Sequence, residues 1–372
     1  MPGPLHGIRV IDAATRPAAQ FAARMLADLG AEVVRISALD DDPTHLAAHA
    51  GKTLATVSPD GMREALDRLA SAAAVVITDA LDAADPMAAP AISDRHPHAV
   101  VCSVTPFGLT GPLAGRPGTD PTIQALSGVL YTTGQPGERP YLTPTGYNDT
   151  MSASHAVVAV IHALRERLAG GDGQWIDIAM LDVAVAMDCE NMPVVLGHDG
   201  RYRPEPLGHA GFANTLATFR SPDGYIVMEV WGSGPNSMWG RLATATGRPI
   251  LLEDPRFHDD AARLAHLDEV VAIVEEWLAE FPSDAEAIAA LHAAKVTAGQ
   301  VRTPDLVLTH PQLVDRGLIR EIDGGRVIAM PYRFSATPVE VSSTTRARLD
   351  DVAATWLDTD PRIDSRMQEA TR

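Results

Sequence analysis

The residues in this chain that could carry chemistry are few, and the most pointed is Asp149. It sits in the run Gly146-Tyr147-Asn148-Asp149-Thr150-Met151-Ser152-Ala153-Ser154-His155-Ala156, where a long apolar helical pattern begins. An aspartate at a helix start can act as its N-cap, accepting a backbone N–H. It can equally be presented there as a charge, kept ionised by the helix dipole, among small residues that leave room for a substrate. An ionised, crowded carboxylate of that kind can act as a nucleophile. The local spacing leaves both roles open. His155 comes six residues later, about 600° around a helix, so it faces another way and reads as a packed or interface histidine.

Other chemistries lack their residues. A dinucleotide site needs G-x-G-x-x-G after the first strand, so that backbone can approach a pyrophosphate. The corresponding turn here is AATRPAAQ, without glycine. Gly232-Ser233-Gly234-Pro235 follows a strand-like run and reads as a turn. There is no phosphate-binding P-loop, no G-x-S-x-G and no H-E-x-x-H. His45 and His49 have helical spacing but no third ligand, so no metal site is expected. Cys102 and Cys189 are too few for a disulfide framework and read as free, buried thiols.

The elements that must position Asp149 follow an α/β rhythm. Apolar runs at 7–13, 31–36, 73–78 and 99–104 predict strands. Helical patterns at 18–29, ended by Gly30, and at 60–70 lie between them. Strands apolar on both faces and alternating with helices indicate a parallel sheet, hence a large Rossmann-like domain without the dinucleotide signature. Helices near 120–130 and 150–168, a strand at 174–178 and a helix through Met187 complete it. The predicted organisation is a large α/β domain over 1–196, a Gly/Pro-rich linker over 197–211 and a small α+β domain over 212–305. A second linker over 306–325 and a C-terminal segment over 326–372 that returns to the large domain follow. Within the small domain, strands at 215–220 and 225–231 flank Ser221-Pro222-Asp223-Gly224, a turn sequence.

With 372 residues the chain has ample length for such a core, and 46% hydrophobic against 21% charged residues is ordinary globular usage. Lys+Arg is 30 against Asp+Glu 48, a net charge of −18 that disfavours nucleic acid or an anionic membrane as partner. The first residues lack a basic and then apolar leader pattern, and no apolar stretch reaches the ~18 residues of a membrane span. A soluble, cytoplasmic protein is expected.

Several further segments recur in a set order and spacing. They begin with Pro4–Asp12 (PLHGIRVID) and Leu26–Val34 (LADLGAEVV). Phe107–Pro112 (FGLTGP), Gly115–Asp120 (GRPGTD) and Gln124–Gly128 (QALSG) follow. Gly173-Gln174 to Met180-Leu181-Asp182, Asp254–Phe257 (DPRF), Val301–Pro304 (VRTP) and Pro311–Leu313 (PQL) continue the series over nearly the whole chain. Together these segments resemble the family III CoA-transferases of the CaiB–BaiF type, which include formyl-CoA and carnitine CoA-transferases and α-methylacyl-CoA racemase. The resemblance implies Asp149 as catalytic nucleophile, with Ala153 as the small residue four positions on and Leu164-Arg165-Glu166-Arg167 beyond. It implies an acyl-CoA and a small carboxylic acid as substrates, coenzyme A as a substrate moiety rather than a permanent cofactor, and an interlocked homodimer. It places CoA contacts at Ala18, Lys52, Gly208 and Gly211.

The chain also departs from that pattern. The tract after the second strand is short and retains only Lys52 of a basic segment, and Thr78-Asp79-Ala80-Leu81-Asp82 brings carboxylates to a nucleotide-side loop. A diverged paralogue with another ligand or no activity is therefore the alternative, followed by a 2-methylacyl-CoA racemase. The racemase branch has a histidine before the Asp of the Gly-x-Asp segment, where this chain has Thr119.

Overall fold

The structure, a computed structural model, describes residues 3–38, 45–143, 146–189, 191–198, 204–206, 210–211 and 216–358. The chain divides into two compact units. The first comprises Met1–Leu130, Leu142–Tyr202 and Pro311–Arg372; the second comprises Tyr131–Tyr141 and Arg203–His310.

The first unit is built on a seven-stranded parallel sheet. Its strands are β1 (Arg9–Asp12), β2 (Glu32–Ser37), β3 (Lys52–Thr56), β4 (Val75–Thr78), β5 (Val100–Thr105), β6 (Trp175–Ala179) and a two-residue strand, Thr345–Arg346. From one edge the order is Thr345–Arg346, β3, β2, β1, β4, β5, β6. Strand order therefore reverses direction between β1 and β4, where open α/β sheets leave a crevice at the strands' C-terminal ends.

Successive side chains of each strand point to opposite faces, and both faces are covered. Val10, Val33, Val75 and Val100 pack with α1 (Pro17–Asp28), α4 (Asp120–Leu126), α5 (Tyr147–Leu168) and α6 (Met180–Met187) on one side. Ile11, Val34, Val76 and Val101 pack with α2 (Met62–Ala70), α3 (Ala89–Arg95) and the C-terminal helix Leu349–Asp358 on the other. That last helix is anchored by Trp356, whose indole N–H donates to Glu32 while Arg9 lies over its ring.

β3 was not expected from the sequence, because Lys52 opens it. The strand is nonetheless interior, paired to β2 from Val33↔Lys52 onward. Cys102 is buried as expected, but Cys189 is exposed, which corrects the reading of both thiols as buried.

The second unit has a four-stranded antiparallel sheet, ordered Ala298–Gln300, Gly224–Glu229, Leu216–Ser221, Ala210–Gly211. Phe257 of the Asp-Pro-Arg-Phe segment packs at 6.0 Å from Trp239 in its core. Arg256 pairs with Asp254 and Glu269 beside it, so this segment is tied to the small core. Gly211 lies in the edge strand of this sheet. Gly208 lies outside the described residues. The stretch read as a second linker holds ordered elements of its own, including the helix Pro311–Asp315 and the strand Ile319–Ile322 of a hairpin with Gly325–Ile328.

Candidate active site

α5 returns the chain from the C-terminal end of β5 to the start of the parallel β6, so its first turn lies at the sheet's C-terminal edge. α1 makes the same passage between β1 and β2, and the two helices pack together through small residues. Ala19, Ala22 and Ala23 of α1 share a core with Ala153, Ala156 and Val160 of α5. Ala153 is wholly buried, so the small residue four positions after Asp149 serves the close approach of these helices.

Asp149 does not cap its helix. Gly146, at φ +93°, occupies the cap position and has no side chain to offer. The cap comes from Asp120, at the start of α4. Its Oδ2 accepts the backbone N–H of Asn148 at 2.7 Å and that of Asp149 at 3.2 Å. Its Oδ1 accepts Gln124 Nε2 at 2.6 Å and Asn148 Nδ2 at 3.4 Å. Gln124 in turn accepts the N–H of Thr143 at 3.1 Å. Asp120, Gln124 and Asn148 are all buried. The Asp120 carboxylate thus satisfies N–H groups that a helix start leaves without an intrahelical partner.

The consequence for Asp149 is electrostatic. Among the described residues no hydrogen bond reaches its carboxylate, and partial burial, then the charge of Asp120, push that carboxyl up to about 6. A group so placed is ionised at neutral pH, yet poorly solvated and committed to no structural partner. Those are the properties of a carboxylate available for attack on an acyl carbon. Sequence reasoning missed Asp120 as a partner because a cap supplied from 28 residues away leaves no local spacing signal.

The remaining expected site residues are placed differently. Ala18 lies in the first turn of α1 with its side chain in the core, 1% exposed. Lys52 is not a surface cation. Its Nζ donates to Asp12 Oδ2 at 2.7 Å and to Gln20 O at 2.8 Å, and its side chain is fully enclosed. Burial pushes this ammonium below the usual lysine range while Asp12 pulls it back. Arg35 lies 3.5 Å from the same Asp12 oxygen, so the three charges form one internal cluster under α1. Ala18 and Lys52 therefore both lie in the interior of the first unit. His155 is bonded through Nδ1 to Met151 O on its own helix, and the Thr119 hydroxyl pairs with that of Thr122 at 3.2 Å. The Phe107-Gly108-Leu109 turn is held by Asp177 of β6, which accepts Leu109 N–H at 2.9 Å; Gly108, at φ +81°, sits against the same carboxylate.

Compared with known proteins, the chain matches CoA-transferase family III over residues 5–345. It belongs to that family. A protein named succinate–glutarate CoA-transferase, from Agrobacterium fabrum, is 29% identical over 90% of this chain and 90% of its own length. The protein named succinyl-CoA–L-malate CoA-transferase beta subunit, from Chloroflexus aurantiacus, is 30% identical over 74% of this chain and 72% of its own length. Among solved structures, a CaiB/BaiF family protein from Brucella suis superposes with a TM-score of 0.83 at 26% identity, covering 97% of this chain and all of the other. The chain is thus a family III CoA-transferase, and the parallel sheet with its accompanying antiparallel sheets is that family's fold.

Proposed function

We propose that this CoA-transferase moves CoA from an acyl-CoA to a small carboxylic acid through covalent intermediates on Asp149. The observation that carries this reading is the division of labour at the start of α5: Asp120 does the capping, which leaves the Asp149 carboxylate half-buried and unbonded among the described residues. In the first step an Asp149 oxygen attacks the thioester carbonyl, the C–S bond breaks, and an acyl-aspartyl anhydride and CoA thiolate result. The thiolate attacks the aspartyl carbonyl, releasing the first acid and leaving an aspartyl-CoA thioester. The incoming carboxylate attacks that thioester, forming a second anhydride and freeing the thiolate. Attack of the thiolate on the new acyl carbonyl yields the new acyl-CoA and regenerates Asp149. No net proton is consumed, and the cycle survives only where water is kept from the anhydride.

Hydroxylamine or borohydride added during turnover is expected to modify Asp149 and inactivate the enzyme. Transfer that continues undiminished in Asp149→Asn would remove the assignment. Ala18 and Lys52 are interior side chains, and Gly208 and Gly211 remain proposals for holding CoA. Calorimetry with free CoA is expected to show binding. No binding at millimolar CoA would favour the diverged paralogue instead. A racemase would need a base for the α-proton, and Thr119 supplies none; α-deuteration of a 2-methylacyl-CoA in D₂O is therefore expected to be slow.

The same reading includes an interlocked homodimer in the cytoplasm. The first unit exposes Val158 and Ile161 on α5, Val185 and Met187 on α6, and Leu196 beyond, which together suit a partner's surface. The chain leaves this unit, builds the second and comes back to pair beside β3. Two differently tagged preparations, mixed under native conditions, are expected to stay unmixed for hours. No helix among the described residues is long and apolar enough to cross a membrane.

A further inference from the structure

Gln124 is a buried amide with no part in the bond-making steps, and both of its polar ends are engaged. Its Nε2 donates to Asp120 Oδ1 at 2.6 Å, and its Oε1 accepts the Thr143 N–H at 3.1 Å. Those two partners fix which way the amide points. An ionised carboxylate can only accept and a backbone N–H can only donate, so the nitrogen must face Asp120 and the oxygen Thr143.

Asp120 depends on that donor. Among the described residues no cation pairs with it, so neutral groups alone hold its charge. Gln124 Nε2 and Asn148 Nδ2 meet Oδ1, and the N–H groups of Asn148 and Asp149 meet Oδ2. The Gln124 contact is the shortest of these. It stops the carboxylate from turning about its own bond, which keeps Oδ2 on the first N–H groups of α5. That turn carries Asp149, whose own carboxylate accepts no hydrogen bond among the described residues. The direction of the nucleophile is therefore set through the backbone of the helix start, which Asp120 holds and Gln124 aligns. The Thr143 contact ties the same amide to the segment that leads into α5 in sequence.

We propose that Gln124 is a positioning residue for the transfer reaction: its amide orients the Asp120 carboxylate, and through it the first turn of α5, so that Asp149 faces the thioester carbonyl. This rests on Asp149 as the covalent carboxylate. Gln124 heads the Gln-Ala-Leu-Ser-Gly segment, and positioning gives that glutamine a task.

The test exchanges the polarity of the pair. Gln124→Glu sets two carboxylates where a donor now meets an acceptor at 2.6 Å. In Asp120→Asn the new NH₂ group meets another donor whichever way it turns. The double variant, Asp120→Asn with Gln124→Glu, restores the pattern with the charge moved one residue back. The new amide donates to the new carboxylate and still accepts from Asn148 and Asp149, and the carboxylate accepts from Thr143. Only the 3.4 Å contact from Asn148 Nδ2 loses its acceptor.

Transfer is measured with the acyl-CoA and acid that the wild type turns over fastest among straight-chain mono- and dicarboxylic acids, on variants shown to be folded by circular dichroism. Each single variant should lose at least about tenfold in kcat, the scale of a misplaced reacting group, with the KM for acyl-CoA little changed. Gln124→Met, which keeps the volume and drops both hydrogen bonds, should lose kcat in the same way. The double variant should regain at least about tenfold over the weaker single variant. With its charge farther from Asp149, it should also show the acid inflection of kcat/KM at lower pH than wild type. A wild-type kcat in Gln124→Glu or Gln124→Met, a loss carried by KM alone, or a double variant no faster than the weaker single variant would each overturn the proposal. Undiminished transfer by Asp149→Asn would remove the reading beneath it, and the proposal with it, whatever the Gln124 variants do.

Discussion

Replacing Asp149 by asparagine should abolish transfer and at the same time stabilise the protein at neutral pH. In the folded chain burial, and then the Asp120 charge, raise this carboxyl from 3.8 to about 6. Below about pH 4 the group is protonated whether folded or unfolded, and it costs nothing. As pH rises from there towards 6, the unfolded chain ionises freely while the folded chain resists, so stability falls. Above pH 6 the cost is constant. Two units at about 1.4 kcal/mol each would give about 3 kcal/mol. The side chain is half-exposed, so solvent screening and the favourable dipole of α5 reduce this to about 1 kcal/mol. Urea unfolding of both proteins at pH 8, repeated at steps down to pH 5, measures the difference. Asp149→Asn should be more stable at pH 8 by about that amount, with the gap narrowing below pH 6. An asparagine variant less stable than wild type at pH 8, or a gap independent of pH, would refute the electrostatic account, because a capping or packing aspartate gives that outcome.

Three further outcomes follow from the same geometry. The kcat/KM of transfer should rise through about pH 6 as Asp149 ionises, and Asp120→Asn, which removes the neighbouring charge, should move that inflection to lower pH in a pH–rate profile. Lys52→Met should leave Asp12 buried without its closest cation and cost about 3–5 kcal/mol in denaturant unfolding, while CoA affinity measured on the folded fraction stays unchanged. Trp356→Ala should release the C-terminal helix from the sheet, costing about 3–5 kcal/mol and raising amide exchange across Leu349–Asp358 before any effect on β4 or β5.

The parallel sheet was legible in sequence where its strands are apolar on both faces, as at Val75–Thr78 and Val100–Thr105. β3 was not, because a strand beginning with lysine breaks the apolar run; the carboxylate that makes it buriable, Asp12, is 40 residues away. Asp149 was legible as a residue in an uncommon setting, and its two possible roles were separated only by Asp120, which reaches the helix start from another element. Asp79 could be seen as a charge near a nucleotide-side loop, but the sequence carries no mark that its carboxylate folds back onto Thr15 and Arg16. Local periodicity reports which side chains are buried. It does not report which distant polar group receives them.

The short strand Thr345–Arg346 has a consequence during synthesis. It covers the outer edge of β3 beside Thr53 and Leu54, and the Thr345 and Thr53 hydroxyls meet across the pair, 292 positions apart. At about 5–20 residues per second, a ribosome needs about 15–60 s after making β3 before it delivers the strand that closes that edge. For that interval the half-made sheet presents an open row of backbone donors and acceptors to every other nascent chain nearby. The most vulnerable form of this enzyme is the one still attached to the ribosome, and a C-terminal truncation would make that vulnerability permanent.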